Sequence, residues 1–268
     1  MMQVYMPRNK DLYDLPAIAA DYARQSCLQP PEETILRVML PSLPKARMLD
    51  LGVGGGRTTV HFADKVREYV GADYSESMIL ECRNRFAGGP PHISFTVCDA
   101  RSMDQFEAGS FDFILFSHNG IDSVSHEDRL QILREIQRVG KPGGSFCFST
   151  HNLNWCANIF DLRRVITLNP RLAGRMAKRL VLRFFFNLRV RAAQVRNAPF
   201  MLLNDGGHRG KLRTHYIRPL EQIAQLSEAF TDIRVFSLAT GDEIEDQTKL
   251  RTVEDPWLYY LCKVKERR

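Results

Sequence analysis

One stretch narrows the folds open to this chain more than any other: Met48-Leu-Asp-Leu-Gly-Val-Gly-Gly-Gly-Arg57. The run 46–51 holds a single acidic residue, Asp50, and ends in glycine. Such a run suits a strand buried on both faces that leads into a tight turn. Gly52, Gly54, Gly55 and Gly56 strip that turn of side chains, so a polar ligand can lie against bare backbone. Residues 57–66 have the spacing of a short helix, whose first N–H groups point back at the turn. A flexible glycine turn is the bland alternative. The strand before and the helix after argue against it, because a nucleotide-site motif requires that context.

The rest of the chain repeats the same alternation. Residues 10–40 predict two short helices, the second begun by Pro30-Pro31-Glu-Glu, with proline and acid where a helix start favours them. Strands follow at 68–72, 93–98, 111–116 and 145–150, and later at 233–238 and 257–264. Helices are predicted at 78–86, with Ser75 as the cap, at 127–139 and at 219–229. Leu130, Leu133, Ile136 and Val139 give the helix 127–139 an apolar stripe. Strands alternating with helices predict an α/β fold: a Rossmann-like, seven-stranded, mostly parallel sheet with helices on both faces and an antiparallel last strand. The expected division is 1–45 as N-terminal helices forming part of a cap and 46–268 as the main domain, with a helical insert at about 151–217.

Charge singles out that insert. The chain carries 37 Lys+Arg and 31 Asp+Glu, a net +6. Residues 151–220 hold 14 of the basic and two of the acidic residues, so the segment is +12 and the remainder −6. Leu172, Met176, Leu180 and Phe184 recur every four residues beside a row of Arg171, Arg175, Arg179 and Arg183. That pattern predicts a basic amphipathic helix over 171–189. No run of eighteen apolar residues occurs, residues 1–10 lack the secretory pattern, and six cysteines show neither CxxC nor metal-like spacing. These features read as a cytoplasmic protein without a structural metal.

In a parallel sheet, ligands gather at the carboxyl ends of the strands. Gly52, Asp73, Asp99 and Ser117 each follow a predicted strand. A carboxylate such as Asp73 accepts two hydrogen bonds from a ribose diol. Asp99, beside the small Ala100, suits an adenine amino group, and Tyr74, Met78 and Ile79 suit the face of the ring. A dinucleotide dehydrogenase competes on the same architecture. Its GxGxxG pattern needs glycine at position 57, where this chain has Arg57.

At this point the sequence resembles the class I S-adenosylmethionine-dependent methyltransferases. Leu49-Asp-Leu-Gly-Val-Gly-Gly-Gly, Gly71-Ala-Asp-Tyr-Ser, Cys98-Asp-Ala-Arg, Phe111-Asp-Phe-Ile-Leu and Leu133-Arg-Glu-Ile followed by Lys-Pro-Gly-Gly carry the resemblance, across residues 46–150. It implies S-adenosyl-L-methionine as cofactor and S-adenosyl-L-homocysteine as product. It also implies Asp50 and Gly52–Gly56 at the methionine part, Asp73 at the ribose and Asp99-Ala100 at the adenine. Ser117-His-Asn-Gly-Ile-Asp122 then lies where the methyl points. This stretch departs from the Asn/Asp-Pro-Pro-Tyr/Phe sequence of members that methylate base or amide nitrogens, and it has no Pro-Cys pair.

A hydroxyl or amine of a small-molecule acceptor, anionic or saccharide-type, is therefore the expected target. A hydroxyl benefits from a general base, and histidine suits that task near neutral pH. His118 and His151 are the candidate catalytic residues, with His215 as a rival in the insert. The basic segment reads first as a lid with a solvated arginine face, then as a site for an anionic acceptor, and last as an RNA or peripheral membrane contact. A cofactor-binding subunit without catalysis is a separate alternative. Monomer and homodimer are both open.

Overall fold

The strands expected around the glycine turn lie side by side. The computed structural model describes residues 11, 13–160, 180–181, 187, 190–204 and 213–266. Arg47–Leu51 (β1), Glu68–Asp73 (β2), Ile93–Val97 (β3) and Phe111–Phe116 (β4) form parallel ladders in the order β3-β2-β1-β4. Gly140–Asn152 (β5) pairs with β4 in parallel. Phe200–Leu203 (β6) and Thr214–Ile217 (β7) form an antiparallel hairpin, and β7 joins β5 in parallel at His151 and Asn152. Phe230–Ser237 (β8) and Trp257–Val264 (β9) close the sheet, β9 running antiparallel to β5 over Ser145–His151. Since β9 holds that edge of β5, β7 occupies the other edge, just past the end of β4.

The sheet thus has nine strands, not the seven expected. The two additional ones, β6 and β7, are four residues each and come from the region read as a helical insert. β5 also begins earlier than expected, at Gly140, so the Gly-Lys-Pro-Gly-Gly stretch that ends the preceding helix already belongs to the strand.

Alternation along β4 shows how two cores form. Ile114 and Phe116 enter one apolar cluster, whereas Phe113 and Leu115 enter the other. With period two, successive side chains leave opposite faces of the sheet, and helices cover both faces. On one side His126–Val139 (α5) buries Ile132, Leu133, Ile136 and Val139. At about 1.5–3 kcal/mol per buried side chain, this stripe is what holds α5 down. Pro219–Leu226 (α8) and Gln247–Thr252 (α9) share that layer through Leu226 and Leu250. On the other side Pro30–Met39 (α2) inserts Ile35 and Met39 against Met48, Phe113 and Leu261.

The remaining helices are short. Pro16–Ala23 (α1) lies over the glycine turn, and Thr59–Phe62 (α3) follows it, continued by a 3-10 turn at Ala63–Lys65 rather than by the longer helix expected. Glu76–Arg85 (α4) is capped by Ser75, whose Oγ accepts from Met78 N–H at 3.2 Å. Leu153–Phe160 (α6) and Ala192–Asn197 (α7) belong to the insert, where Leu153, Cys156, Val195, Leu203 and Tyr216 make a small core of their own. The basic helix expected at 171–189 lies outside the described residues, apart from Leu180, Val181 and Asn187.

Candidate functional site

Five strand ends and α1 meet around a cavity of about 320 Å³. Its floor is the turn after β1. Gly52 has φ +60 and Gly54 has φ +54, the left-handed region where a side chain is strained, and a Cβ on Gly52 would stand 2.8 Å from the Phe116 ring. Asp50 also lines the floor. Its Oδ2 accepts from Thr58 Oγ1 at 2.5 Å and from Tyr69 O–H at 2.6 Å, tying β1 to β2 and to the start of α3.

Asp73, at the end of β2, is buried. Its Oδ2 accepts from Gly54 N–H at 3.0 Å and its Oδ1 from Ser75 N–H at 2.9 Å. Burial outweighs these donors and pushes its pKa up to about 6. Asp50 is pushed up to about 6 for the same reason. Tyr74, Met78, Cys98 and Ala100 line the wall beyond Asp73. Asp99 is not among the lining residues. Arg101, two residues on, reaches back and holds the Asp99 carboxylate with Nε at 3.0 Å and Nη2 at 2.5 Å.

α1 and the turn before it form the roof. Tyr13 and Tyr22 line the cavity, and their rings meet edge to face at 6.1 Å. Ser75 Oγ donates to Tyr13 C=O at 3.1 Å and Ser77 Oγ to Asp14 C=O at 2.8 Å, fastening this roof to the start of α4.

Behind the glycine turn, Arg57 forms a two-pronged ion pair with Glu32 of α2, both contacts 2.6 Å. Burial opposes ionisation of Glu32, but Arg57 wins and lowers its pKa. Glu32 also meets Ser117 and Tyr259 hydroxyls, so α2, β4 and β9 converge on one carboxylate.

The chain turns sharply after β4. His118 and Asn119 both have left-handed backbones, φ 54 and φ 61, a strained pair that swings Ser117, His118 and Asn119 into the cavity wall. His118 is reached by solvent through the cavity. The surrounding protein and then the Arg57 charge lower its pKa. His151, from the end of β5, lines the same wall with Trp257, Arg213 and Thr214. Its Nδ1 lies 2.8 Å from Asp122 Oδ2, and its Nε2 lies 3.4 Å from Asn119 Nδ2. Asp122 is fully buried beside Arg129. Burial alone would raise its pKa, but Arg129 and His151 outweigh that and hold it below the usual carboxylate range. The rival His215 does not line the cavity. It is buried with Nε2 at 3.1 Å from His126 Nδ1, and burial and the Arg129 charge drive its pKa down to about 3.

The structure therefore brings Asp50, Gly52, Gly54, Asp73, Tyr74, Met78, Ala100, Ser117, His118 and His151 to one cavity. Gly56 and Asp99 are not among the residues that line it. Glu32, Asp122, Arg129, Tyr13, Tyr22 and Trp257 had no assigned role in the sequence. Among the described residues, no group of three His, Cys, Asp or Glu side chains is placed to hold a metal ion.

Comparison with known proteins bears on this cavity directly. Residues 48–144 match the family model described as a methyltransferase domain. The putative methyltransferase YqeM of Bacillus subtilis is 31% identical over 121 residues, 44% of this chain and 48% of that protein. A demethylmenaquinone methyltransferase of Beutenbergia cavernae is 32% identical over 151 residues, 52% of this chain and 60% of the relative. The chain thus matches about half the length of these curated relatives. Among solved structures, a SAM-dependent methyltransferase from Methanosarcina mazei superposes with TM-score 0.56 at 20% identity, covering 87% of this chain and 98% of that one. Phosphoethanolamine N-methyltransferase 2 of Haemonchus contortus, solved with S-adenosyl-L-methionine, gives TM-score 0.58 at 18% identity over 96% of this chain and 60% of its own. At these identities the structural likeness concerns the fold. The matched span 48–144 runs from within β1 to the start of β5 and carries four of the five strand ends at the cavity. On that footing residues 48–144 are a methyltransferase domain, set in a Rossmann-like fold shared with S-adenosylmethionine-dependent methyltransferases.

Proposed function

We propose that this protein moves a methyl group from S-adenosyl-L-methionine to a hydroxyl of a small acceptor, with His151 taking the acceptor's proton. The observation that carries the reading is the continuity of the cavity, which joins a side-chain-free glycine cradle at one end to a histidine backed by a carboxylate at the other.

The residues suit the cofactor. Gly52 and Gly54 present bare backbone to the cavity, which favours the methionine part beside them and above Asp50. The Asp73 carboxylate faces the cavity with acceptor capacity beyond its backbone bonds, which is what ribose hydroxyls require. Tyr74, Met78, Cys98 and Ala100 offer apolar and backbone contact to the adenine. Asp99 would reach the adenine amino group only by releasing Arg101. When bound, S-adenosyl-L-methionine supplies a methyl on a positively charged sulfur and leaves as S-adenosyl-L-homocysteine.

The residues of this chain then have three tasks. Tyr13 and Tyr22, as part of an N-terminal cap, keep water out from above. Ser117 and Trp257 bound the acceptor, and alignment of reacting groups is worth up to about 7–11 kcal/mol. His151 Nε2 accepts the hydroxyl proton, a contribution of about 10²–10⁴-fold where it applies. A hydroxyl fits better than an ammonium because the carboxylates nearest this end, Glu32 and Asp122, are already paired with Arg57 and Arg129.

A methyl-label transfer screen with sugars, phenols, amines and short RNAs tests this. Label is expected on a hydroxyl acceptor. An Asp73→Ala control should lose about 1.5–3 kcal/mol of cofactor affinity, the worth of a hydrogen bond to a charged group. Label on amines or RNA alone contradicts the hydroxyl assignment.

A further inference from the structure

We infer that Asp122 and Arg129 are positioning residues that fix His151 in the tautomer with its proton on Nδ1 and a bare Nε2 towards the cavity. This deepens the function proposed above and makes His151, rather than His118, the proton acceptor.

The geometry comes from six separate elements. Asp122 lies in the 3-10 turn Gly120–Ser123 and is enclosed on every side. Its Oδ2 accepts from His151 backbone N–H at 2.7 Å and faces Nδ1 at 2.8 Å. A carboxylate can only accept, so Nδ1 carries the hydrogen and Nε2 is left with its lone pair. Asn119 agrees with this tautomer, because its Nδ2 stands 3.4 Å from Nε2 and can donate only to a lone pair.

Asp122 Oδ1 is held just as firmly. Arg129 Nη1 donates to it at 2.5 Å and Thr150 Oγ1 at 2.7 Å. Arg129 has no solvent exposure, and its other N–H groups go to Thr150 Oγ1 at 3.1 Å, Gln225 Oε1 at 3.3 Å and Gln222 Oε1. A guanidinium so occupied cannot turn away, and neither can the carboxylate it holds. Trp257 edge to face at 5.9 Å and Tyr216 at 4.9 Å confine the imidazole ring from β9 and β7. Among the described residues, His118 has no carboxylate in hydrogen-bond contact; the acid nearest it in charge, Glu32, is spent on Arg57.

The proton step balances without any further reactant. The acceptor O–H bond breaks, its electron pair stays on oxygen, and the hydrogen bonds to Nε2. The resulting imidazolium has its Nδ1–H already directed at the Asp122 carboxylate, which offsets the new charge.

The test reads the tautomer, so it needs no acceptor. Full-length protein with ¹⁵N-labelled histidine is studied by long-range ¹⁵N–¹H correlation near pH 8, with His151→Gln to assign the signals. His151 is expected with its proton on Nδ1. In Asp122→Asn the neutral amide no longer holds the hydrogen on Nδ1 as a carboxylate does, and His151 should shift towards the tautomer with its proton on Nε2. A wild-type His151 protonated on Nε2 overturns the inference, and so does a folded Asp122→Asn with the tautomer unchanged. Should that variant not fold, the wild-type spectrum alone decides. Calorimetry with S-adenosyl-L-homocysteine is run in parallel: no binding with the Nδ1–H tautomer present refutes the functional reading and leaves the positioning of His151 intact.

Discussion

Asp73 is a carboxylate whose burial and whose task pull in opposite directions. Burial raises it from 3.8 to about 6, so in the folded protein it holds its proton more tightly than in the unfolded chain. That contribution to stability is full below the unfolded value and is lost as pH rises through about 6. Ribose hydroxyls, by contrast, bond best to the ionised form. Cofactor affinity measured by calorimetry should therefore weaken as pH falls from 7 to 5, without unfolding caused by Asp73 itself; Asp50, also raised to about 6, acts in the same direction. A dissociation constant that is flat across this range would contradict the role given to Asp73. Asp99, placed by the same kind of signal, does not line the cavity, whereas the position of Asp73 was legible because it follows an apolar run. Asp122 and Arg129 were not, since their pairing joins residues on different elements. One sign was present: Arg129 stands three and four positions before Ile132 and Leu133, on the apolar face of its helix, where a charge has to find a partner.

Among the elements, α1 and the glycine turn fit most tightly. A Cβ on Gly55 would lie 2.2 Å from Ala23 N and 2.5 Å from Tyr22 C, with no other strain on Gly55. Gly55→Ala should consequently push α1 off the turn. Amide exchange over Pro16–Ala23 should rise and cofactor affinity fall about tenfold, while the sheet keeps its protection. Unchanged exchange in α1 would show that the roof is not seated on the turn. Patterning defined β4 and β9 at both ends, because long apolar runs bounded by turn residues leave little choice. It missed β6 and β7, four residues each, whose register depends on two pairs with the end of β5. No local period reports a contact of that kind. It lengthened α3, where Ala63–Lys65 tightens into a 3-10 turn.

At the scale of the molecule, the positive insert divides its charges between structure and site. Arg218 is given to structure: it donates to Ala198, Val195 and Arg196 carbonyls at 2.9, 2.8 and 2.6 Å and to Asn154 Oδ1 at 2.5 Å, binding α6, α7 and the start of α8 together. Arg213 stands at the cavity instead. Composition announced the asymmetry, and only the fold separates these two uses. No helix among the described residues is long and apolar enough to cross a membrane. The most direct measurement of the whole account is titration calorimetry of the pure protein with S-adenosyl-L-methionine, S-adenosyl-L-homocysteine and a nicotinamide dinucleotide. Saturable heat is predicted with the first two and none with the third; binding of the dinucleotide alone would contradict the account.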